Sequence, residues 1–371
     1  MAWKKCKIKR ENGEWVEAQA PEIVSASRST DIPAFYADWF FHRLEVGYSA
    51  WTNPFNGVQS YVSYQNTRFI VFWSKNPKPL LKHLNWLNHP VIAGQNKKKI
   101  NCYIQYTLND YVKEGLEKVP PLETRIDTFK RLVDELGAGH VVWRFDPMLL
   151  TDTITIDDLL RKVGNIGNQL KDYTQKLVFS FADIASYKKV KSNLDKNNIH
   201  YIEWTQGMME EFAARLSSMN KELGWNFELA TCGEQEIFGK YGIIKNSCVD
   251  DDLMVRCAYQ DTELMRFLDV EIHNIAEPKQ ISLFAEQEAS VLPIGAKLIP
   301  ETTKYYIKKN DNHDKGQRTL CGCMVSKDIG EYNTCPHQCE YCYANTSKRA
   351  AVENYKRACA TNFIAETIIG K

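Results

Sequence analysis

Short apolar runs alternate with amphipathic helical patterns between about residues 22 and 260. Seven runs are rich in β-branched and aromatic residues and predict strands. They are 23–27, 48–51, 68–73, 100–107, 140–145, 177–181 and 225–230. Apolar positions at helical spacing predict helices over 35–46, 126–136, 159–170 and 212–223, with Gly137 ending the second.

Strands separated mostly by helices are typical of an α/β protein with a parallel sheet, here a TIM-like or partial (β/α) barrel. A doubly wound open sheet is the main alternative. Neither G-x-G-x-x-G nor G-x-x-x-x-G-K-[ST] follows any predicted strand, so the phosphate-binding motifs of that class are missing.

The pattern divides the chain into four parts. Residues 1–21 form an N-terminal extension, 22–260 the barrel domain, 261–320 a connecting segment, and 321–371 a cysteine-rich segment. In the connecting segment, helices are predicted over 261–270 and 281–289, with Pro278 as a breaker between them.

Most predicted strands end in polar residues. In a parallel barrel the carboxyl-terminal strand ends form the mouth, where substrates bind. Arg28 and Asp31 follow the first strand, Lys75 the third, and Arg144 and Asp146 end the fifth. We expect these five to form a substrate site at the mouth, with the cations suited to an anionic or amino-acid-like group.

Composition is that of a soluble globular protein. The 371 residues include 47 Lys and Arg against 46 Asp and Glu, and mean hydropathy is −0.42. These values disfavour a disordered, a membrane-spanning or a globally basic nucleic-acid-binding protein. No secretory signal or membrane helix is evident, so we expect a cytoplasmic protein with reduced thiols.

Six of the 11 cysteines fall in the last 51 residues. Cys335, Cys339 and Cys342 have the spacing C-x3-C-x2-C, which suits three ligands of a compact iron–sulfur cluster. Zinc would more often show two C-x2-C pairs, and uncoordinated thiols are the remaining alternative.

A second cysteine site is predicted upstream. Cys321 and Cys323 form a tight pair, and Cys232 and Cys248 are candidates for its other half. Four such thiolates could hold an auxiliary iron–sulfur cluster or a structural zinc, clipping the C-terminal segment onto the barrel.

The C-x3-C-x-aromatic-C pattern, with Tyr341 as the aromatic residue, resembles the cluster motif of the radical S-adenosylmethionine enzymes. The resemblance implies a [4Fe-4S] cluster whose fourth iron binds S-adenosylmethionine, with Tyr341 beside the cofactor. It also implies reductive cleavage of the sulfonium to a 5′-deoxyadenosyl radical inside a barrel, with a flavodoxin or ferredoxin as electron donor. In that family the motif follows the first strand, whereas here it lies near the C-terminus, so the tail must fold back over the barrel mouth.

Nearly the whole chain resembles a bacterial family of unknown function, DUF1848. Two stretches carry this resemblance in addition to the triple-cysteine motif: Ser-Arg-Ser-Thr-Asp-Ile-Pro at 27–33 and Cys-Gly-Cys-Met-Val-Ser-Lys-Asp-Ile-Gly at 321–330. The resemblance implies no activity.

Three functions therefore compete. The first is an iron–sulfur redox enzyme, radical S-adenosylmethionine-like, acting on a small molecule or a modified macromolecule. The second is a metal-stabilised nucleic-acid-binding or -processing protein, and the third is a non-catalytic electron-transfer protein. The second would use two groups of basic residues to contact phosphates: Lys4, Lys5, Lys7, Lys9 and Arg10 in one, and Lys304, Lys308, Lys309, Lys315 and Arg318 in the other.

Overall fold

The structure, a computed structural model, describes residues 3–53, 56–92, 99–234, 236–275, 292–318 and 320–370. In these ranges the chain forms strands and helices over most of its length. The strands are β1 (Lys5–Lys9), β2 (Trp15–Gln19), β3 (Ile23–Ala26), β4 (Tyr48–Thr52), β5 (Gln59–Ser63), β6 (Phe69–Ser74), β7 (Asn101–Thr107), β8 (Val141–Met148), β9 (Leu150–Thr151), β10 (Lys176–Phe181), β11 (Tyr201–Ile202), β12 (Glu228–Thr231), β13 (Ile244–Lys245), β14 (Val270–Asn274), β15 (Lys297–Ile299), β16 (Lys304–Lys308) and β17 (Lys327–Asp328).

Helices connect most of the central strands. The α-helices are α1 (Ile32–Phe35), α2 (Ala37–Val46), α3 (Leu84–Asn88), α4 (Leu122–Leu136), α5 (Ile156–Leu170), α6 (Lys188–Lys196), α7 (Gln206–Glu222), α8 (Asp251–Ala258), α9 (Thr262–Leu268) and α10 (Lys348–Ala360), and Lys78–His83 and Glu236–Tyr241 are 3-10 helices. None of the helices in the described ranges is long and apolar enough to cross a membrane.

Eight strands form one parallel sheet in the order β13-β12-β10-β8-β7-β6-β3-β17. This confirms the predicted α/β class, and six of the seven predicted strands belong to the sheet. Strands β13 and β17 are the two end strands of this order, yet residues after β13 contact residues before β17. The Ser247 hydroxyl donates to the carbonyl of Gly322 at 2.7 Å, and the Met324 amide donates to the carbonyl of Val249 at 2.9 Å.

Both faces of the sheet are covered, which explains the long apolar runs of its strands. In β6, Ile70 and Phe72 point into a core shared with helices such as α4 and α5. Phe69 and Val71 point the other way, into a second core built largely from α8, α9 and their neighbours. Successive strand residues alternate between faces, so the same strands supply both cores.

One predicted strand was assigned to the wrong sheet. The run at 48–51 forms β4, which pairs antiparallel with β5 in a separate sheet of order β1-β2-β5-β4. Antiparallel pairing of β4 with the next strand along the chain is what keeps it out of the parallel sheet. The predicted N-terminal extension forms β1 and β2 of this same sheet.

The predicted helices are largely present, with shifted bounds. The first divides into α1 and α2, and the second begins earlier, as α4, and ends at Gly137, whose φ is 97°. In the connecting segment the helix predicted over 261–270 is α9, and β14, β15 and β16 form a three-stranded sheet. The helix predicted over 281–289 lies outside the described residues.

The C-terminal segment returns to the beginning of the parallel sheet. Its strand β17 pairs with β3, with Lys327 opposite Val24. Asp328 then accepts hydrogen bonds from the hydroxyls of Ser25 and Ser27 and from the amide of Arg28, at 2.8–2.9 Å. These bonds hold the tail against the loop that follows β3.

Candidate functional site

The carboxyl-terminal ends of the parallel strands lie at one edge of the sheet, because all eight strands run in the same direction. The predicted polar residues follow or end β3, β6 and β8 at this edge. The cysteine-rich tail crosses the same edge after β17. The structure therefore brings together two features that are about 300 residues apart in the chain, the loop after β3 and the tail.

The triple-cysteine loop is docked on the segment that follows β7. The Lys118 amide donates to the carbonyl of His337 at 2.9 Å, and the Glu340 amide donates to the carbonyl of Leu116 at 2.9 Å. Within the tail, the Asn345 side chain donates to the carbonyl of Cys335 at 2.8 Å. Backbone bonds of this kind fix the loop by its main chain and leave its thiols available.

Asp31 anchors this loop from the first strand end. Its carboxylate lies 2.7 Å from Nε2 of His337 and accepts a 2.7 Å hydrogen bond from the Lys75 amide. It also caps α1 through the Ala34 amide at 3.0 Å. The carboxylate thus has three partners already, and it positions the loop that carries the cysteines.

Lys75 lies in a buried polar network beside the cysteines. Its Nζ is 2.8 Å from Oε2 of Glu117 and 2.8 Å from the Tyr341 hydroxyl, and Tyr341 also donates to Glu117. Burial lowers the pKa of Lys75, but Glu117 and Cys339 reverse this and the net pKa is raised. Burial raises the pKa of Glu117, but the charges of Lys75 and Arg125 lower it by more, so the net pKa is below the usual value. The network is therefore an ion pair.

Of the three thiols, that of Cys339 is buried and those of Cys335 and Cys342 are partly buried. Burial raises the pKa of Cys335 well above its usual value, and the pKa of Cys339 to about 12. The negative charges of Asp31 and Cys339 add to the upward shift of the Cys335 pKa. Buried thiols of raised pKa stay protonated at neutral pH unless a cation replaces the protons, as a bound metal does.

The arrangement of the thiols can be compared with that of a single-ion site. Four sulfurs around one zinc, at Zn–S of about 2.3 Å, lie about 3.8 Å apart. Among the described residues, only Asp250, Asp251 and Asp252 place three or more His, Cys, Asp or Glu ligand atoms all within 4.8 Å of one another. Neither cysteine group in the described ranges meets this limit, so it does not discriminate between them, and the C-x3-C-x2-C donor set is what fits an iron–sulfur cluster. The three aspartates are accounted for otherwise: Asp250 caps α8, and Asp251 and Asp252 pair with lysines.

The second predicted cysteine group is also brought together. Sγ of Cys232, after β12, lies 3.1 Å from Sγ of Cys248, after β13. Sγ of Cys323 accepts a hydrogen bond at 3.4 Å from the amide of Val249, the residue after Cys248, and Cys321 lies two residues before Cys323. Hydrogen bonding from Cys232 and Cys323 lowers the pKa of Cys248, and Arg144 and Arg28 lower it further.

Arg144 and Asp146 belong to this second group rather than to the triad. Nη1 of Arg144 lies 3.1 Å from Sγ of Cys248 and 3.2 Å from the side-chain oxygen of Gln105. Its Nη2 pairs with Asp146, which also accepts from the hydroxyl of Ser180. Both predicted residues are therefore engaged within the protein.

Arg28 differs from the other predicted residues because it has an unused donor. Its guanidinium lies over the Trp73 ring at 5.5 Å, and Arg144 lies at the same distance from that ring. Its Nη2 is buried and has no hydrogen-bond partner. An unpaired buried guanidinium nitrogen is costly, and a bound anion would satisfy it.

A chain of hydrogen bonds joins the two cysteine groups, and its central member was missed. Asn109 donates to the Tyr341 hydroxyl at 3.2 Å and accepts from the Asp146 amide at 2.9 Å. Asn109 lies two residues after the end of β7. A search for polar residues just beyond each predicted strand would therefore have found it. Glu117 was missed as well, and no local pattern marks it. Asp31, Lys75, Arg144 and Asp146 all belong to this chain of bonds.

These features define a class: an α/β protein whose parallel sheet carries two cysteine groups at its carboxyl-terminal edge, one of them delivered by a C-terminal tail. Over residues 23–344 the chain matches the family model described as Domain of unknown function (DUF1848). The chain belongs to this family, which confirms the prediction made from residues 27–33 and 321–330. No curated protein and no solved structure matches the chain significantly.

Proposed function

We propose that the protein is an iron–sulfur enzyme whose [4Fe-4S] cluster is held by Cys335, Cys339 and Cys342. One observation carries the proposal: the loop that holds the three cysteines is docked by its backbone over the edge where the parallel strands end, with Cys339 buried and Cys335 and Cys342 partly buried. Three thiolates leave one iron of a four-iron cluster without a ligand from this loop. That iron is where a cofactor or substrate would bind.

We further propose that the sheet is a TIM-like or partial (β/α) barrel. Apart from β17, the strand order follows the order along the chain, as in a barrel. The contacts of residues 247–249 with 322–324 connect the two ends of that order. In such a barrel the triad and the polar strand ends would share one mouth.

The position of the triad in the sheet supports a radical S-adenosylmethionine-like activity. The cysteine loop follows β17, which occupies the sheet edge next to β3. If the strands of the sheet are counted from β17, the end strand beside β3, the cysteine motif follows the first strand, as in the family that it resembles. A reduced cluster would supply one electron to the sulfonium of S-adenosylmethionine.

The side chains at the edge would then have different duties. Arg28, with its unpaired Nη2, would bind a carboxylate or another anion of the cofactor or substrate. Asp31, Lys75 and Tyr341 are positioning residues, because their bonds hold the cysteine loop. The substrate would be a small molecule or a group on a macromolecule, and a flavodoxin or ferredoxin would deliver the electron.

The test is anaerobic reconstitution followed by iron and sulfide analysis. We expect about four iron and four sulfide per chain, lost in the Cys335→Ala/Cys339→Ala/Cys342→Ala variant. A Cys6→Ala/Cys359→Ala variant, which removes thiols outside both groups, should keep them. Equal iron in the triple variant would refute the cluster assignment.

Electron paramagnetic resonance of the reduced cluster then tests the cofactor. S-adenosylmethionine should change the signal, and reduction should yield 5′-deoxyadenosine. Arg28→Ala should weaken the response to S-adenosylmethionine while leaving the iron content unchanged. An unchanged signal with no 5′-deoxyadenosine would reject the radical chemistry and favour the electron-transfer alternative.

The nucleic-acid alternative receives less support from the contacts of the basic residues. In the first group, Lys5 pairs with Glu17 at 2.6 Å and Arg10 with Glu14 and Glu366 at 2.6 and 2.8 Å. In the second, Lys308 pairs with Asp251 and Lys309 with Glu271. Acidic partners reduce the charge available for phosphates. A DNA or RNA affinity that falls steeply with salt would revive this alternative.

A further inference from the structure

We propose that Cys232, Cys248, Cys321 and Cys323 bind one zinc ion, separate from the cluster of the triad, and that this ion closes the sheet. The four thiols come from three places: the loop after β12, the loop after β13, and the tail before β17. Strands β13 and β17 stand at opposite ends of the strand order. An ion held by all four would join those ends.

The contacts between the thiols favour a single ion over a cluster. Cys232 and Cys248 are 3.1 Å apart at sulfur, and Sγ of Cys323 accepts from the amide of Val249, the residue after Cys248, at 3.4 Å. Adjacent sulfurs about 3.8 Å apart suit four thiolates on one zinc. In a cubane the thiolates bind different irons and cannot lie in contact with one another.

The four sulfurs must rearrange to form a tetrahedron, because no three of them lie within 4.8 Å of one another. Turning one cysteine between χ1 rotamers moves its Sγ by about 3 Å, which is enough to do so. Cys232 and Cys321 are half-exposed, whereas Cys248 and Cys323 are buried. The thiols of Cys232 and Cys321 can therefore move, and they offer the ion a path from solvent.

Neighbouring donors are placed to stabilise thiolates at the two buried positions. Sγ of Cys248 accepts from Nη1 of Arg144 at 3.1 Å and from the side-chain amide of Asn246 at 3.2 Å. Sγ of Cys323 accepts from the Val249 amide at 3.4 Å. Bonds of this kind orient metal ligands and tune them. Arg28 and Arg144 would balance the net charge of −2 that four thiolates leave on a zinc ion.

The backbone already brings the two halves into contact. Beside the bond from Ser247 to Gly322, a Cβ added to Gly322 would lie 2.6 Å from the Ser247 hydroxyl oxygen. The tail between Cys321 and Cys323 therefore lies closer to the loop before Cys248 than a side chain at position 322 would allow. Such proximity is what a shared ion requires.

The experiment uses the full chain with the triad changed to Cys335→Ala/Cys339→Ala/Cys342→Ala, so that any metal bound must be elsewhere. Purified anaerobically with zinc, this protein should retain about one zinc per chain after gel filtration and contain no sulfide. Adding Cys321→Ala/Cys323→Ala should remove at least about nine-tenths of the zinc, whereas adding Cys6→Ala/Cys359→Ala should not. Circular dichroism confirms that each variant is folded.

Cobalt substitution tests the site even if the variant that also carries Cys321→Ala/Cys323→Ala does not fold, because it needs only the triad variant. In the triad variant, Co²⁺ should give intense thiolate-to-cobalt charge-transfer absorption, and zinc should displace it. Overturning results are a folded protein without zinc, zinc unaffected by the Cys321/Cys323 change, iron with sulfide in place of zinc, or a Cys232–Cys248 disulfide that resists zinc loading. All four readouts are independent of the triad, so failure here and failure of the proposed function are distinguishable.

Discussion

The buried pair of Lys75 and Glu117 makes a quantitative prediction about docking of the cysteine loop. The two charged atoms are 2.8 Å apart, and the Glu117 side chain is fully buried. At an effective dielectric constant of 20, their attraction is about 6 kcal/mol, most of which offsets desolvation. Lys75→Met removes the attraction and keeps the cost of burying Glu117. Losing one partner of a buried pair costs about 3–5 kcal/mol.

We expect the lower part of that range, about 3 kcal/mol. The reason is Arg125, whose Nη1 is 3.8 Å from the other oxygen of Glu117 and keeps part of the compensation. The double variant Lys75→Met/Glu117→Gln leaves no uncompensated carboxylate. Its free energy of unfolding should lie within about 1–2 kcal/mol of that of the unchanged protein.

Urea unfolding measures the free energies, and limited proteolysis reports whether the tail is released, since Lys75 also contacts Tyr341 in the cysteine loop. A control at the surface is Lys5→Met: this exposed lysine pairs at 2.6 Å with the exposed Glu17, so the change should cost about 1 kcal/mol or less. A cost below about 1 kcal/mol for Lys75→Met, or a double variant as unstable as the sum of both single variants, would refute the reasoning.

Three further predictions concern attachment of the tail. Asp328→Ala removes the acceptor of the 2.8–2.9 Å bonds from Ser25, Ser27 and Arg28. This change should lower the free energy of unfolding by about 2–4 kcal/mol and expose the tail to protease. Asp328→Asn keeps one acceptor oxygen, so its free energy of unfolding should fall by less. Gly330→Ala should also release the tail, because the new Cβ would lie 1.8 Å from the Ser27 hydroxyl oxygen; full protease resistance of this variant would contradict the docking. Burial lowers the pKa of Lys327 to about 8, so its charge destabilises the fold below that pH. The penalty is relieved as pH rises from about 8 to about 10.5, by about 1–3 kcal/mol after allowing for its cation–π contact with Trp51. Urea titrations at both pH values should show this gain relative to Lys327→Met, and a parallel pH profile of the two proteins would disprove it.

Hydrophobic periodicity predicted most of the parallel sheet because its strands are buried on both faces. Runs such as 68–73 and 177–181 are apolar regardless of long-range pairing. Periodicity could not assign β4, since an apolar run reads the same in a parallel and in an antiparallel sheet. It also missed β13 and β17, which have two residues each and whose place depends on contacts with distant segments.

The candidate site was predictable to the extent that its residues follow strands or share a spacing pattern. The pairing of Cys321 and Cys323 with Cys232 and Cys248 was a prediction from local clustering; the structure places Cys232 and Cys248 in contact and residues 322 and 323 against the segment 247–249. How the five polar residues divide between two groups could not be read from the sequence. That division depends on which strand end faces the triad and which faces the second group, and strand spacing alone does not determine it.

The C-terminal position of the triad is compatible with a site at the first strand because sheet order and chain order differ. In a parallel sheet, a loop from any part of the chain reaches the common edge if the strand before it joins the sheet. Here β17 has only two residues paired with β3, so it is a weak anchor by itself. Asp328, the close approach at Gly330, and the ion pair at Lys75 reinforce it. If these contacts hold the tail, then weakening any one of them should lower cluster retention in proportion to the loss of protease protection, although none of these residues is a ligand.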